Sequence, residues 1–194
     1  MTPRRGPRLR VVAGPLYASV VRKWRVEAGG RAKLVRELVD ALSPLAEYAG
    51  ELGVRLALEP LNRFETSLFN TVEQTLEVVE AVGSPALGLL LDTFHMNIEE
   101  RSIPAAVRLA GERLFHFHAC ANDRGAPGAD HLDWAGIVGA LADVGYDGAV
   151  VIESFTAENV AIATAAAVWR PLAASPDDLA ADGLAFLHAS LRGV

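Results

Sequence analysis

Residues 54–66 read VRLALEPLNRFET, a short apolar run that ends in Glu59 and continues into a polar segment. The same pattern returns farther along the chain, where apolar runs end at Asp92, His118 and Glu153. Successive run ends are 33, 26 and 35 residues apart, which leaves room for one helix and two short loops between neighbouring strands. Repeated strand–helix units of this length build a parallel sheet or barrel, whose strand ends gather at one face. The pattern therefore predicts that three carboxylates and one imidazole converge on one point.

Hydrophobic periodicity and turn residues predict five strands that alternate with helices. The predicted strands span residues 9–14, 54–58, 87–91, 114–118 and 149–153. The predicted helices span residues 31–52, 71–82, 103–110, 133–144, 158–169 and 177–191. The strands are apolar throughout, as parallel strands are when helices cover both faces of the sheet. Residues 1–194 are therefore interpreted as a single α/β domain, and residues 1–8 are predicted to be disordered.

The composition limits the class of function. The chain has 194 residues, 51% of them hydrophobic, and a formal net charge of −6 at pH 7. This charge, without a long basic run, argues against a nucleic-acid partner or an anionic membrane surface. No apolar stretch reaches the length of a transmembrane helix. The lone Cys120 excludes an intramolecular disulfide and predicts a reducing, cytoplasmic location.

The predicted cluster has the chemistry of a cation site. Carboxylates with one imidazole suit Mn²⁺, or alternatively Mg²⁺ or Co²⁺, better than a structural zinc site, where cysteine usually features. Strand alternation places His116 and His118 on one face, so the pattern alone leaves open which of them is the ligand. By the same alternation, Phe115 and Phe117 are expected to face the helices.

Two of the carboxylates predict acid–base chemistry. Glu59 and Glu153, facing each other across a cation, can take a proton from one side of a carbon and return one to the other side. Arg124 and His95 are expected to hold substrate hydroxyls or a developing oxyanion, and Glu65 is a further polar contact. The expected substrate is a small hydroxy-ketone whose enediolate the cation stabilises.

Four segments carry a resemblance to a known family. They are LEPLNRFET (58–66), LLLDTFHMNIEE (89–100), HFHACANDRGAPG (116–128) and VVIESF (150–155). These resemble the motifs of the D-tagatose 3-epimerase (D-psicose 3-epimerase) family, which belongs to the xylose isomerase-like TIM barrels. The resemblance implies a (β/α)8 barrel, represented here by a partial barrel of about five βα units. The chain is expected to lack the first three units.

The resemblance also implies a role for each site residue. It implies metal ligation by Glu59, Asp92, His118 and Glu153, and so selects His118 over His116. It implies that Glu59 and Glu153 are the catalytic pair, and that Glu65, His95 and Arg124 contact the substrate.

The leading hypothesis is an isomerase that epimerises a ketose at carbon 3 by proton transfer between Glu59 and Glu153 through a metal-stabilised enediolate. One alternative is an aldose–ketose or hydroxypyruvate-type isomerase on the same site. Another is an inactive barrel fragment that self-associates. A phosphodiester hydrolase of the endonuclease IV type is disfavoured, because its multi-metal cluster is rich in histidine and this chain has only 5. The expected partners are a sugar substrate and further copies of the chain, as a dimer or tetramer.

Overall fold

A computed structural model of the protein describes residues 10–18 and 30–192. The predicted disorder of residues 1–8 lies outside the described residues. Five parallel strands form one sheet whose spatial order is the order along the chain. The strands are β1 (Val11–Gly14), β2 (Arg55–Leu58), β3 (Leu87–Asp92), β4 (Leu114–Ala119) and β5 (Val150–Ile152). The prediction of a partial barrel with five parallel strands is therefore confirmed.

Seven α-helices occur in the described residues. They are α1 (Gly30–Glu51), α2 (Val72–Val82), α3 (Thr93–Glu99), α4 (Ile103–Ala110), α5 (Trp134–Asp143), α6 (Val160–Ala165) and α7 (Pro176–Leu191). Side chains cap several helix starts: Thr71 accepts a hydrogen bond from the amide of Gln74, and Ser102 accepts one from Ala105. Among the described residues, no helix combines the length and apolar character that crossing a membrane requires.

Among the α-helices of the described residues, α3 is the one that the sequence pattern does not predict. It is only 7 residues long and follows β3 without a loop, because Asp92 ends the strand and also caps the helix. The Asp92 side chain accepts a hydrogen bond from the amide of Phe94. A helix of two turns is too short to show a clear hydrophobic period, so the strand and the next helix dominate the pattern.

The main core lies between the sheet and its helices. β3 is buried along its whole length, as expected for the central strand of five. The largest fully buried side chains include Phe69 of the β2–α2 loop, Phe117 of β4 and Ile137 of α5. This packing fixes the carboxyl ends of the strands relative to one another, and those ends carry the predicted site.

An irregularity between β3 and β4 changes which side chains share a face. Leu89 pairs with Leu114, but the next residue, Leu90, pairs with His116, so Phe115 is an extra residue on β4. β-Bulges of this kind are common beside active sites, where they re-aim side chains. After the irregularity the pairing is regular again, so that His118 pairs with Asp92.

The bulge makes the expectation for Phe115 wrong. Phe117 belongs to the main core as predicted, but Phe115 packs in a separate small cluster with Ala57 and Leu90. Its ring occupies the space where a side chain at position 88 would lie, and Gly88 provides that space. Simple strand alternation fails here because the bulge inserts one residue.

Candidate metal centre

Four side chains meet at the carboxyl edge of the sheet. Glu59 follows β2, Asp92 ends β3, His118 lies near the end of β4, and Glu153 follows β5. One potential ligand atom from each lies within 4.8 Å of those of the other three. The structure thus brings together the four side chains that the sequence pattern predicts to converge. His116 lies beside His118, with ring centroids 5.1 Å apart, and is not part of this group.

The imidazole of His118 provides a test of whether a cation fits. Its Nδ1 is the buried side-chain nitrogen or oxygen, among the described residues, that has no hydrogen-bond partner. Oε2 of Glu153 is 3.2 Å away, but the alignment of the two groups is not that of a hydrogen bond. A buried unpaired nitrogen needs a physical explanation, and a ligated cation supplies one. Three carboxylates and this nitrogen form a donor set that fits a divalent cation.

The carboxyl groups have strongly perturbed acidities. Burial, followed by the nearby charges of Asp92 and Glu153, holds the pKa of Glu59 well above its usual range. Burial likewise raises the pKa of Asp92 to about 7. Burial also tends to raise the pKa of Glu153, but His118 and Asp92 outweigh it, with help from the guanidinium of Arg124. The pKa of Glu153 therefore lies below its usual range, and the cluster holds more negative charge than its burial favours.

Arg124 is the cationic side chain in this cluster. Its Nη1 donates to Oδ2 of Asp92 at 2.7 Å and to Oε2 of Glu153 at 3.0 Å. The guanidinium lies 3.9 Å from the ring centroid of Phe94 and 5.1 Å from that of Phe155. The backbone of Arg124 has a φ of 70°, a left-handed conformation that costs energy for a residue with a side chain. Strain of this kind is typical of functional positions.

His95 and Glu65 are the other predicted contact residues, and the ring of His95 lies between Glu65 and the four-residue cluster. His95 projects from α3 and is buried, and burial, followed by the charge of Arg124, lowers its pKa to about 3. Its Nε2 points to the four-residue cluster, 3.8 Å from Oδ2 of Asp92 and 3.9 Å from Oε1 of Glu59. Glu65 lies at the other nitrogen, with Oε1 3.9 Å from Nδ1 of His95. His95 thus lies at the cluster, and Glu65 lies behind it.

The loop after β2 is held in place by Arg63, whose sequence position leaves open a structural ion pair or a substrate contact, and by Asn62, which sequence reasoning missed. The guanidinium of Arg63 donates to both carboxylate oxygens of Glu99 at 3.0 Å, and its backbone amide donates to the same carboxylate at 2.7 Å. Asn62 contacts His95 from the same loop. Their partners, His95 and Glu99, lie on α3, which the sequence pattern does not predict. The sequence signal for Asn62 is therefore only its position between two candidate site residues, Glu59 and Glu65.

Tyr17, in the turn after β1, also supports the site. Its hydroxyl donates to the carbonyl oxygen of Glu59 at 2.8 Å, which fixes the backbone of a predicted ligand.

Cys120 is buried, and burial, followed by the charge of Asp92, raises its pKa to about 12. A thiol with such a pKa stays protonated and is not an activated nucleophile.

Comparisons with known proteins agree with this geometry. A sequence profile of the xylose isomerase-like TIM barrel family matches residues 10–189. The protein named probable ketose 3-epimerase of Synechocystis sp. is 47% identical over 149 residues, which cover 77% of this chain and 52% of that protein. The L-ribulose 3-epimerase of Mesorhizobium japonicum is 40% identical over 185 residues, covering 94% of this chain and 61% of that protein.

A solved structure extends the likeness to three dimensions. The crystal structure of D-psicose 3-epimerase with D-tagatose from Clostridium cellulolyticum H10 matches with a TM-score of 0.83 and 34% identity. The match covers 93% of this chain and 63% of that one. The chain spans about half of the length of the curated relatives that it matches. With five parallel strands, a cluster at their carboxyl ends and a profile match over most of its length, the chain belongs to the xylose isomerase-like TIM barrel family.

Proposed function

We propose that the protein provides the metal-binding part of a ketose 3-epimerase, an isomerase that inverts carbon 3 of a ketose sugar. One observation carries the proposal: four side chains from four consecutive strand ends place ligand atoms within 4.8 Å of one another. The relatives named as 3-epimerases support the choice of sugar and of carbon. The matches cover only 52% and 61% of those relatives. That this chain is active as an epimerase is therefore proposed as well.

Glu59 and Glu153 are the proposed catalytic pair. They enter the cluster from different strands, so a substrate carbon held between them presents one face to each carboxylate. One carboxylate removes the proton from carbon 3, which leaves an enediolate, and the other returns a proton to the opposite face. The unusual acidities of the two groups in the cluster are consistent with this division of labour. A bound divalent cation would polarise the substrate carbonyl and offset the negative charge that forms on its oxygens.

Arg124 and His95 are the proposed contacts to substrate oxygens. The guanidinium of Arg124 lies within hydrogen-bond reach of both Asp92 and Glu153, so an oxygen placed at the cluster also lies within its reach. Glu65 is proposed as a further contact, reached on the side of His95 that faces away from the cluster.

The donor set favours Mn²⁺ as the resident cation, with Mg²⁺ and Co²⁺ as alternatives. Isothermal titration calorimetry of the metal-free protein with each cation would rank their affinities. Assembly into a dimer or tetramer and a cytoplasmic location are further parts of the proposal; the lone Cys120 is typical of proteins in a reducing compartment.

The decisive experiment is proton exchange in heavy water. The purified chain with Mn²⁺ is incubated with D-fructose, D-tagatose or D-psicose, and NMR locates the deuterium. Label at carbon 3 is expected. Label at carbon 1 or carbon 2 would instead indicate an aldose–ketose isomerase on the same site. A folded, metal-loaded chain that exchanges no proton on these ketoses would contradict the proposal and favour the inactive, self-associating fragment.

A further inference from the structure

The buried residue Asn62 contacts Nδ1 of His95, the ring nitrogen that faces away from the cluster, through two of its atoms. The backbone amide of Asn62 donates to Nδ1 of His95 at 3.1 Å, and the side-chain nitrogen of Asn62 lies 2.9 Å from the same atom. The side-chain nitrogen also donates to Oε1 of Glu65 at 3.2 Å. One asparagine thus joins two of the three proposed substrate contacts.

The orientation of the carboxamide of Asn62 follows from its other partner. Its Oδ1 accepts a hydrogen bond from the amide of Phe64 at 2.9 Å. An amide nitrogen of the backbone can only donate, so the oxygen of the carboxamide must face Phe64 and the NH2 group must face His95 and Glu65. Both groups that Asn62 presents to Nδ1 of His95 are therefore donors.

Two donors at Nδ1 require that this nitrogen carries a lone pair. A neutral imidazole has one protonated and one unprotonated nitrogen, and the partner of one nitrogen fixes the state of the other. The proton of His95 then lies on Nε2, the atom that points to the cluster 3.8 Å from Asp92 and 3.9 Å from Glu59. Such a ring presents a donor, not an acceptor, to anything bound at the cluster.

Within the described residues, Arg124 makes a contact that opposes this arrangement. Its Nη2 lies 3.2 Å from Nε2 of His95, and a guanidinium is also only a donor. The opposite tautomer would accept from Arg124 but would set the ring proton against two donors of Asn62. The Nε2-protonated form therefore sets one donor, from Arg124, against the ring proton, whereas the opposite form sets two donors, both from Asn62, against it.

We infer that Asn62 is a positioning residue that holds neutral His95 in its Nε2-protonated tautomer, aimed as a hydrogen-bond donor into the cluster, and ties Glu65 to the same ring. Its consequence for catalysis, donation to a substrate oxygen, rests on the proposed function. The tautomer itself does not, because it can be measured without substrate or metal.

The test is a long-range ¹H–¹⁵N correlation spectrum of the histidine rings in the metal-free, ¹⁵N-labelled chain at neutral pH. The loss of one set of peaks in His95→Gln assigns the ring. The wild type is expected to show a protonated Nε2 and an unprotonated Nδ1 for His95. A protonated Nδ1 in the wild type would overturn the inference, whether or not the protein is an epimerase.

A variant of Asn62 sharpens the test. Asn62→Asp replaces the NH2 donor with an acceptor, so the Nδ1 resonance of His95 is expected to shift toward the protonated position. Asn159→Asp, an exposed helix cap, is the matched control and is expected to leave His95 unchanged. An unshifted His95 in folded Asn62→Asp would also contradict the assigned role.

Discussion

At the scale of single residues, Glu153 differs from the other carboxylates of the cluster in its exposure. Its side chain is 32% exposed, whereas those of Asp92 and Glu59 are 0% and 8% exposed. Of the three carboxylates, Glu153 is therefore the most accessible to solvent. This accessibility suits its proposed catalytic role, in which it would exchange its proton between turnovers.

Replacing Glu153 with glutamine tests its proposed role. Glu153→Gln keeps the size of the side chain but cannot take up a proton, so we expect proton exchange at carbon 3 to fall about 10²- to 10⁴-fold. NMR of the ketose in heavy water measures this rate. Glu158→Gln, an exposed neighbour, is the control. Full exchange by a folded Glu153→Gln protein would remove Glu153 from the catalytic pair.

The unpaired nitrogen of His118 leads to a prediction about cation affinity. His118→Asn removes one of the four donors, and we expect the affinity for Mn²⁺ to fall by more than about tenfold. Loss of a residue that only orients a metal ligand already lowers affinity by about that factor, and loss of a ligand should cost at least as much. Isothermal calorimetry measures the affinity. His188→Asn, on the exposed side of α7, should bind Mn²⁺ like the wild type. Equal affinities for the two variants would show that His118 is no ligand.

Residue roles could be read from the sequence only where the strand pattern locates them. Glu59, Asp92 and Glu153 stand at the ends of apolar runs, so their convergence could be predicted from spacing alone. Asn62 could not, because its contact with His95 depends on how a loop folds onto a helix. Phe115 was misplaced because a bulge, which has no sequence signature here, shifts the alternation.

At the scale of secondary-structure elements, β3 depends on a glycine. A Cβ at position 88 would lie 2.7 Å from two ring carbons of Phe115 and would also meet the backbone oxygen of Arg113. Neither the buried ring nor the backbone can move without disturbing β4. Gly139, in α5, has no atom outside its own helix turn within 4 Å of such a Cβ.

The two glycines should therefore respond in opposite ways to the same change. We expect Gly88→Ala to lower the free energy of unfolding by about 1–3 kcal/mol, because it overpacks the central strand. We expect Gly139→Ala to raise it by about 0.5–1 kcal/mol, because alanine stabilises a helix interior. Urea denaturation monitored by circular dichroism measures both. A tolerated alanine at position 88 would mean that the bulge at Phe115 adjusts freely.

Elements that are long and periodic were predicted within a few residues of their observed bounds. Helix α3 was not predicted, and it is the element that presents His95 to the cluster and Glu99 to Arg63. Its start depends on Asp92, whose two oxygens do different work: Oδ1 accepts from the helix amide of Phe94, and Oδ2 accepts from Arg124. One carboxylate thereby sets both the helix and the site.

At the scale of the whole molecule, the two outer strands of the sheet each have one partner strand among residues 10–18 and 30–192. In the described part of the chain, β1 pairs with β2 alone and β5 pairs with β4 alone. Apolar side chains are exposed on β1 and on α1: Val12 of β1 is 40% exposed, and Leu45 and Tyr48 of α1 are 54% and 60% exposed. Unpaired strands with apolar surroundings favour association with another chain.

We therefore expect the chain to self-associate through the β1 edge. Sedimentation velocity should show a mass that increases with protein concentration, and Val12→Lys should shift the distribution toward the monomer because it places a charge on that edge. Leu109→Lys, at an exposed apolar position on α4, should not. A wild-type chain that stays monomeric over the accessible concentration range would contradict the prediction.

The sequential order of the strands has a consequence for how the protein is made. Each strand pairs with the strand that precedes it along the chain, so the sheet can grow unit by unit while the ribosome delivers it. Three of the four clustered side chains are present once β4 has been added, but Glu153 arrives only with β5. A nascent chain should thus gain tight cation binding abruptly, at the moment its fifth strand docks. Cation capture would then report the docking of the fifth strand and not an earlier folding event.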